Sequence, residues 1–123
     1  MKLEHKELTQ YFSQQTELIK EIHKQLTEQL DQRFTIAELS KQYLINTSTL
    51  KEIFKAVYGQ PIATYMKEFR VRQAMKLLRE TNATIADIAS QVGYQTQGKF
   101  SSAFQSIVKM SPREYRKIQG IQK

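Results

Sequence analysis

The sequence predicts an all-α fold in which a long linker helix joins two helix-turn-helix subdomains, with about seven helices in all. Apolar residues recur at spacings of three and four along most of the chain, and the alternation that marks β-strands is nearly absent. Sequences that cap helix N-termini precede several of the apolar runs. The pattern of the first half also restarts in the second half, which indicates an internal repeat.

The N-terminal part of the chain carries one amphipathic stripe and one short capped helix. The stripe runs over residues 8–30, as one long helix or as two helices broken at residues 31–33. Thr35 and Glu38 then form a capping box, in which each side chain accepts a hydrogen bond from the free backbone N–H of the other. A short helix is expected from there to about Tyr43.

The middle of the chain contains a second short helix and a long one. Asn46 or Thr47 caps the short helix, and Gly59 ends it because glycine tolerates the left-handed conformation at a helix end. The long helix, about residues 62–80, follows Pro61, whose missing N–H is harmless at a helix start. This helix is apolar on two sides, which predicts burial between two packed units, and it spans roughly 28 Å.

The last third of the chain repeats the order of short helix, turn and second helix. Thr84 caps a short helix that Gly93 ends, and Ser111 opens a third capping sequence before a last helix to about Gln119. The repeat is in register: Ile36, Ala37, Glu38 and Leu39 align with Ile85, Ala86, Asp87 and Ile88 at an offset of 49, and Leu50, Phe54, Val57 and Tyr65 align with Phe100, Phe104, Ile107 and Tyr115 at an offset of 50. The extra residue falls in the turn, as expected for duplicated folded units.

Each unit has the arrangement of a helix-turn-helix motif. The units are predicted over residues 16–60 and 82–123, with a leader or linker remnant over 1–15 and the linker helix over 61–81. The first helix of each unit is expected to pack inward through Ala37 and Leu39, or through Ala86, Ile88 and Ala89. The outer face of each second helix then presents polar side chains: Thr47, Ser48, Lys51, Glu52 and Lys55 in the first unit, and Gln97, Gly98, Lys99, Ser101, Ser102 and Gln105 in the second.

Charge and side-chain chemistry indicate a polyanionic partner. Residues 1–33 hold five Lys and Arg against six Asp and Glu, whereas residues 34–123 hold fourteen against six. On the outer faces, lysine can donate to guanine O6 and N7, glutamine can form paired bonds with adenine, and glutamate can accept from cytosine N4. We therefore expect these faces to read bases in double-stranded DNA; a merely solvated polar face is the alternative.

Composition argues against several other classes of protein. The chain has no cysteine and two histidines, so we expect no disulfide, metal or cofactor, and a cytoplasmic location. It lacks a run of about 18 apolar residues, which predicts no membrane span. No nucleophile–base pair, carboxylate pair or glycine-rich phosphate loop marks an enzyme. A helical interaction scaffold, which usually needs about three repeats, and an RNA-binding module, which usually needs exposed aromatics, stay open as alternatives.

One long motif lies in the second unit. It consists of Gly93-Tyr94-Gln95-Thr96-Gln97-Gly98-Lys99-Phe100-Ser101-Ser102-Ala103-Phe104 and Ser111-Pro112-Arg113-Glu114-Tyr115-Arg116. Further characteristic residues lie upstream of it: Leu50-Lys51-Glu52-Ile53-Phe54-Lys55, Gly59, Tyr65, Arg70, Ala74 and Leu77-Leu78. In these motifs the chain resembles the AraC/XylS transcription regulators, over about residues 16–118. The resemblance implies seven helices, and two recognition helices that enter successive major-groove segments on one face of the duplex. It also implies base contacts at Ser48, Lys51 and Glu52, and a reading face at Gln97, Gly98 and Ser102.

Two positions depart from the family pattern. Lys109 stands where glycine is usual, which puts the helix end before the last helix in doubt. Gly98 and Lys99 replace a more usual serine and tyrosine. Because a glycine in the first turn of a helix costs up to about 1 kcal/mol and offers no side chain, the second unit is expected to read bases more weakly.

Further side chains are candidates for the DNA backbone. They are Lys55, Lys99 and Gln105 beside the reading faces, and Arg113 and Arg116 in the last helix, where a solvated basic tail is the alternative. Arg70 either anchors a phosphate or pairs with a carboxylate such as Glu38 or Asp87.

The resemblance also implies partners. RNA polymerase is expected through an activator role. Independently of the resemblance, two different reading faces on one chain predict an asymmetric promoter site. Many members of the family carry an effector-sensing or dimerisation domain before this region. Residues 1–15 therefore belong either to a small stand-alone regulator or, as we favour, to a linker helix of an excised C-terminal half, which the stripe of Leu8, Tyr11 and Phe12 would fit.

Overall fold

The computed structural model describes residues 5–120, with side chains from residue 6 onward. This part of the chain forms seven helices and no strand: α1 His5–Glu28, α2 Ile36–Tyr43, α3 Thr47–Tyr58, α4 Ile62–Glu80, α5 Ile85–Gln91, α6 Gln97–Val108 and α7 Pro112–Gln119. The all-α prediction is confirmed, and the first apolar stripe forms one helix rather than two. Residues 1–4 of the predicted leader and 121–123 of the predicted second unit lie outside the described residues. Within residues 5–120, no helix has both the length and the apolar composition that a membrane span requires.

Side-chain caps set the starts of the short helices. Thr35 accepts a bond from the backbone N–H of Glu38 at 3.0 Å, and Glu38 accepts one from the N–H of Thr35 at 3.2 Å, which completes the predicted capping box. Asn46, rather than Thr47, caps α3, because its Oδ1 accepts from the N–H of Ser48 at 2.8 Å. Thr84, Thr96 and Ser111 cap α5, α6 and α7 through the same kind of bond.

The first compact unit comprises residues 5–28 and 34–65. Its core is formed by Ile19, Ile22, Leu26, Leu39, Ile45, Leu50 and Phe54. The predicted stripe of α1 is buried only in its C-terminal half, since Leu8, Tyr11 and Phe12 are exposed. Ala37 is exposed too, contrary to prediction, because the inward face of α2 follows the helical spacing of Ile36, Leu39 and Tyr43.

The second compact unit comprises residues 29–33 and 66–120, so α4 contributes its first four residues to one unit and the rest to the other. Its core is formed by Val71, Ala74, Leu78, Ile88, Ala89, Val92, Phe100, Ala103, Phe104 and Tyr115. Ile88 and Ala89 pack inward as predicted. Ala86 is exposed, contrary to prediction, for the same reason of helical spacing as its counterpart in α2.

The internal repeat extends to the backbone of the turns. Leu44 (φ 52°) follows α2 and Gly93 (φ 92°) follows α5, while Gly59 (φ 82°) ends α3 and Lys109 (φ 68°) ends α6. These pairs have the offsets of 49 and 50 that align the apolar residues. Each unit therefore holds one glycine and one other residue in the left-handed conformation. The helix end that was in doubt at Lys109 does form, because its N–H donates to the carbonyl of Gln105 at 2.9 Å.

Candidate nucleic-acid interface

The first candidate surface is the outer face of α3. Leu50 and Phe54 are fully buried, which turns the opposite face of the helix toward solvent. All five residues predicted for this face are exposed: Thr47, Ser48, Lys51, Glu52 and Lys55. Their spacing places them along one strip of the helix. The strip offers two cations, one carboxylate and two hydroxyl groups, which can bind base edges and phosphates.

An aromatic cluster supports α3 from the inside of the first unit. His23 Nε2 lies 2.7 Å from the Tyr65 hydroxyl, and the imidazole stacks on Tyr58 with ring centroids 4.3 Å apart. Phe54 packs edge-on against Tyr65, with centroids 5.5 Å apart. Burial lowers the pKa of His23 and raises the pKa of Tyr58. The neutral imidazole therefore holds α1 against α3 and the start of α4, a role that the sequence did not reveal.

The second candidate surface is the outer face of α6. Phe100, Ala103 and Phe104 are buried, and the residues predicted to face outward are exposed: Gln97, Gly98, Lys99, Ser102 and Gln105. Ser101, also predicted outward, is half-buried. The Thr96 hydroxyl accepts from the N–H of Lys99 at 3.1 Å, which satisfies a free amide of the first turn. Only Lys99 carries a charge on this face, so α6 offers mainly neutral hydrogen-bonding groups.

The two arginines of α7 differ in their surroundings. Arg113 is exposed in the first turn. Arg116 is half-buried, and its guanidinium donates to the carbonyls of Leu78 at 3.2 Å and Thr81 at 3.3 Å. Arg116 thus ties α7 to the end of α4 within the second unit. Phosphate contact stays a prediction for both arginines.

Arg70 neither anchors a phosphate nor pairs with a carboxylate, so both roles predicted from the sequence are wrong. Its side chain is buried and donates to the backbone carbonyls of Leu30, of Gln32 at 3.2 Å and of Val92 at 2.7 Å. The carbonyl of Val92 lies at the C-terminal end of α5, where the peptide dipoles favour a cation. Burial lowers the pKa of Arg70 to about 10, and the positive charge of Arg33 makes a smaller contribution in the same direction. The guanidinium is therefore a buried cation held by carbonyl oxygens rather than by a carboxylate.

Gly93 and Arg33 complete the support of the turn between α5 and α6. A Cβ at Gly93 would lie 2.0 Å from Nη1 of Arg70 and 2.5 Å from the carbonyl oxygen of Leu30. Arg33 Nε donates to the Gly93 carbonyl at 2.7 Å, and the Arg33 guanidinium lies 4.7 Å from the ring centroid of Tyr94. The sequence signalled the glycine as a helix end. It gave no sign of Arg33, because that contact joins residues 60 positions apart.

These observations define a class of protein. The described residues form two helix-turn-helix units, and each exposes the polar face of its second helix, as DNA-binding domains of this kind do. A family described as a helix-turn-helix domain matches residues 39–118. The chain belongs to the AraC/XylS family of DNA-binding transcription regulators, which is not a family of enzymes.

Three relatives illustrate the family. The chain is 40% identical over 84 residues to a Streptomyces lividans protein described as an AraC-like transcription regulator. It is 34% identical over 91 residues to the HTH-type transcriptional activator RhaR of Mannheimia succiniciproducens, and 31% identical over 93 residues to the melibiose operon regulatory protein of Escherichia coli. These matches cover 68%, 74% and 76% of the chain but only 28%, 33% and 31% of the relatives.

Solved structures share the fold. The C-terminal domain of AraT, a response regulator from Geobacillus stearothermophilus, has a TM-score of 0.80 and 25% identity, over 86% of this chain and 88% of that one. The C-terminal domain of the response regulator YesN from Fusobacterium nucleatum has a TM-score of 0.71 and 30% identity, over 81% and 95%. The DNA-binding domain of AdpA, solved with a target DNA, has a TM-score of 0.76 and 21% identity, over 81% and 90%.

Proposed function

We propose that the chain reads double-stranded DNA in a sequence-specific way, with α3 and α6 placed in successive major-groove segments. One observation carries the proposal: every predicted base-reading residue is exposed on a helix face opposite a buried core. These residues are Thr47, Ser48, Lys51 and Glu52 on α3, and Gln97, Gly98 and Ser102 on α6. A polar strip opposite a packed face is what a recognition helix needs in order to enter a groove.

The two helices contribute unequally in this proposal. On α3, Lys51 and Glu52 provide a donor and an acceptor that discriminate between base pairs. On α6, Gly98 has no side chain, and a Cβ there would face open space among the described residues, so the helix loses a contact at an open position. We therefore assign most of the sequence discrimination to α3.

The experiment begins with selection of bound duplexes from a random pool, followed by affinity measurements on a panel of single-base variants of the selected site. Lys51→Ala should weaken binding to the best site by about 1–3 kcal/mol and relax the preference at one or two base pairs. Lys99→Ala, the control, should weaken binding evenly across the panel. If Lys51→Ala kept the ranking of the variants while Ser102→Ala changed it, the assignment of α3 as the main reader would be wrong.

Backbone contacts supply the rest of the affinity in this proposal. The residues assigned to phosphates are Lys55, Lys99, Gln105, Arg113 and Arg116. Each neutralised phosphate contributes about −0.9 to the slope of log K against log salt, so several contacts give a slope of roughly −4 or steeper. A titration with added salt on the selected duplex measures this slope.

The regulatory role is also part of the proposal. One relative, RhaR, is described as a transcriptional activator, which supports an activator role for this chain. We propose that the chain acts in the cytoplasm, at an asymmetric promoter site and together with RNA polymerase. Because the chain spans about a third of the length of the relatives it matches, an effector-binding domain is proposed as its partner. Transcription in vitro from a promoter that carries the selected site tests activation directly.

A further inference from the structure

A cleft beside the turn of the second unit collects positive charge. It has a volume of about 330 Å³ and is lined by Arg33, Gly93, Tyr94, Gln95 and Lys99. Because a water molecule takes about 30 Å³ in the liquid, the cleft has room for roughly ten water molecules, which is more than one phosphate group needs. The lining residues include two cations and no carboxylate. The cleft therefore has the size and the charge of an anion site.

Arg33 is already oriented for such an anion. Its Nε donates to the Gly93 carbonyl at 2.7 Å, and its guanidinium lies over the ring of Tyr94 at 4.7 Å. These contacts fix the plane of the guanidinium but leave Nη1 and Nη2 without a hydrogen-bond partner among residues 5–120. The side chain is exposed. A guanidinium held in one plane, with both of its NH2 groups free, binds two phosphate oxygens with little further loss of entropy.

Like charges around the cleft also favour an anion. Arg70, next to Gly93, is buried and protonated, and the charge of Arg33 contributes to lowering its pKa. The negative charge of Asp31 raises the pKa of Arg70, but Asp31 forms no ion pair with Arg33 in the described part of the chain. Lys99 adds another cation to the lining. An anion in the cleft would reduce the repulsion between Arg33 and Arg70.

We propose that this cleft binds one phosphodiester of the DNA backbone, with Arg33 donating two hydrogen bonds to its oxygens and Lys99 adding a second charge. Lys99 lies in the first turn of α6, so a phosphate bound here would fix the position of that helix along its groove segment. Arg33 comes from the segment 29–33 and not from a recognition helix. The inference rests on the proposed function, because only a chain that binds DNA brings a phosphodiester to the cleft.

The test is a double-mutant cycle between Arg33 and single phosphates of the selected duplex. Each phosphate is replaced in turn by a neutral methylphosphonate, and affinities are measured for the wild type, Arg33→Gln and the control Arg72→Gln, an exposed arginine of α4. We expect one methylphosphonate to weaken the wild type and Arg72→Gln by roughly tenfold but to have almost no effect on Arg33→Gln. The salt slope of Arg33→Gln should also be shallower by about 0.9.

Several outcomes would overturn the proposal. If Arg33→Gln weakened binding but kept its sensitivity to every phosphate, Arg33 would only position the turn. A further arm titrates inorganic phosphate against the protein without DNA; saturation of the cleft there, without coupling in the cycle, would make it a site for a free anion. If the wild type bound no duplex at all, both the proposed function and the phosphate site would be wrong. If only the phosphate site were wrong, the wild type would still bind the selected duplex.

Discussion

Gly93 leaves less room for a Cβ than the other described glycines of the second unit. It adopts a φ of 92°, and a Cβ there would meet both the guanidinium of Arg70 and the carbonyl of Leu30. A clash at this point pushes a buried cation away from the carbonyl oxygens that replace its hydration. Loss of such contacts costs several kcal/mol, because the charge stays buried without its partners.

Gly93→Ala should therefore destabilise the second unit by about 3–5 kcal/mol, which combines left-handed strain with loss of the Arg70 contacts. Gly59→Ala is the matched control, since Gly59 has a φ of 82° but the added Cβ would face open space among residues 5–120. The control should cost only about 1–2 kcal/mol of left-handed strain. Urea unfolding followed by circular dichroism measures both values. Equal costs for the two variants would show that the contact with Arg70 does not constrain Gly93.

His23 gives the first unit a pH-dependent stability. Burial lowers its pKa in the folded state, so the unfolded chain binds a proton more readily than the folded chain. The stability that follows from this difference is fully present above the unfolded pKa of about 6.5. It is lost as the pH falls below that value and through the lower pKa of the folded state.

We expect the melting temperature of the wild type to fall between pH 7.5 and pH 5.5, and His23→Gln to show a smaller fall over the same range. The glutamine can still bond to the Tyr65 hydroxyl but does not titrate. Thermal unfolding in buffers of equal ionic strength provides the comparison. A fall of the same size in both proteins would contradict the assignment of this pH dependence to His23.

The backbone conformation of the turns follows the duplicated fold rather than the conformational preference of the residue at each position. Leu44 is 92% exposed, yet it adopts the left-handed conformation that Gly93 adopts in the other unit. Lys109 does the same in the place of Gly59. Because this side chain is so exposed, its contacts with the described residues can offset little of the strain, and the packing of the helices on both sides of the turn imposes the conformation.

Lys109→Gly should stabilise the second unit by about 1 kcal/mol, because glycine adopts this conformation without a steric penalty. Lys109→Ala is the control. It keeps the strain and removes the bond from Lys109 Nζ to the Ser106 carbonyl at 2.8 Å, so it should give no gain. Chemical denaturation of the two variants distinguishes these expectations. A gain from alanine, or a loss from glycine, would show that the left-handed residue carries no strain.

Helix bounds could be predicted from the sequence because caps and helix-ending glycines act within a few residues. Thr35, Thr84 and Ser111 cap helices where their sequences indicate, and α4 covers residues 62–80 as expected. The outward faces of α3 and α6 followed from the helical period once their apolar residues had been assigned to the core.

Other features lay beyond the sequence because their partners are distant or are backbone atoms. Arg70 binds carbonyl groups, which every residue carries and no pattern marks. Arg33 donates to the Gly93 carbonyl, which lies 60 positions further along the chain. Ala37 and Ala86 were assigned to the core because they are apolar, but alanine is small enough to be exposed at little cost, so its identity says little about the face on which it lies.

We propose that a single molecule of this chain binds DNA through both recognition helices. α4 carries the chain from the first unit into the second, and the proposed reading of successive major-groove segments requires both recognition helices to bind one duplex. The outer faces of α3 and α6 carry different side chains. One chain should therefore occupy two unlike segments of an asymmetric site.

Hydroxyl-radical footprinting of the selected duplex, with the stoichiometry of the complex measured by sedimentation, shows whether one chain occupies both segments. We predict one chain per duplex and two protected segments about one helical turn, or about 10 base pairs, apart on the same face of the DNA, with different base sequences. Protection of a symmetric palindrome that only two chains can fill, or of a single segment, would contradict the claim.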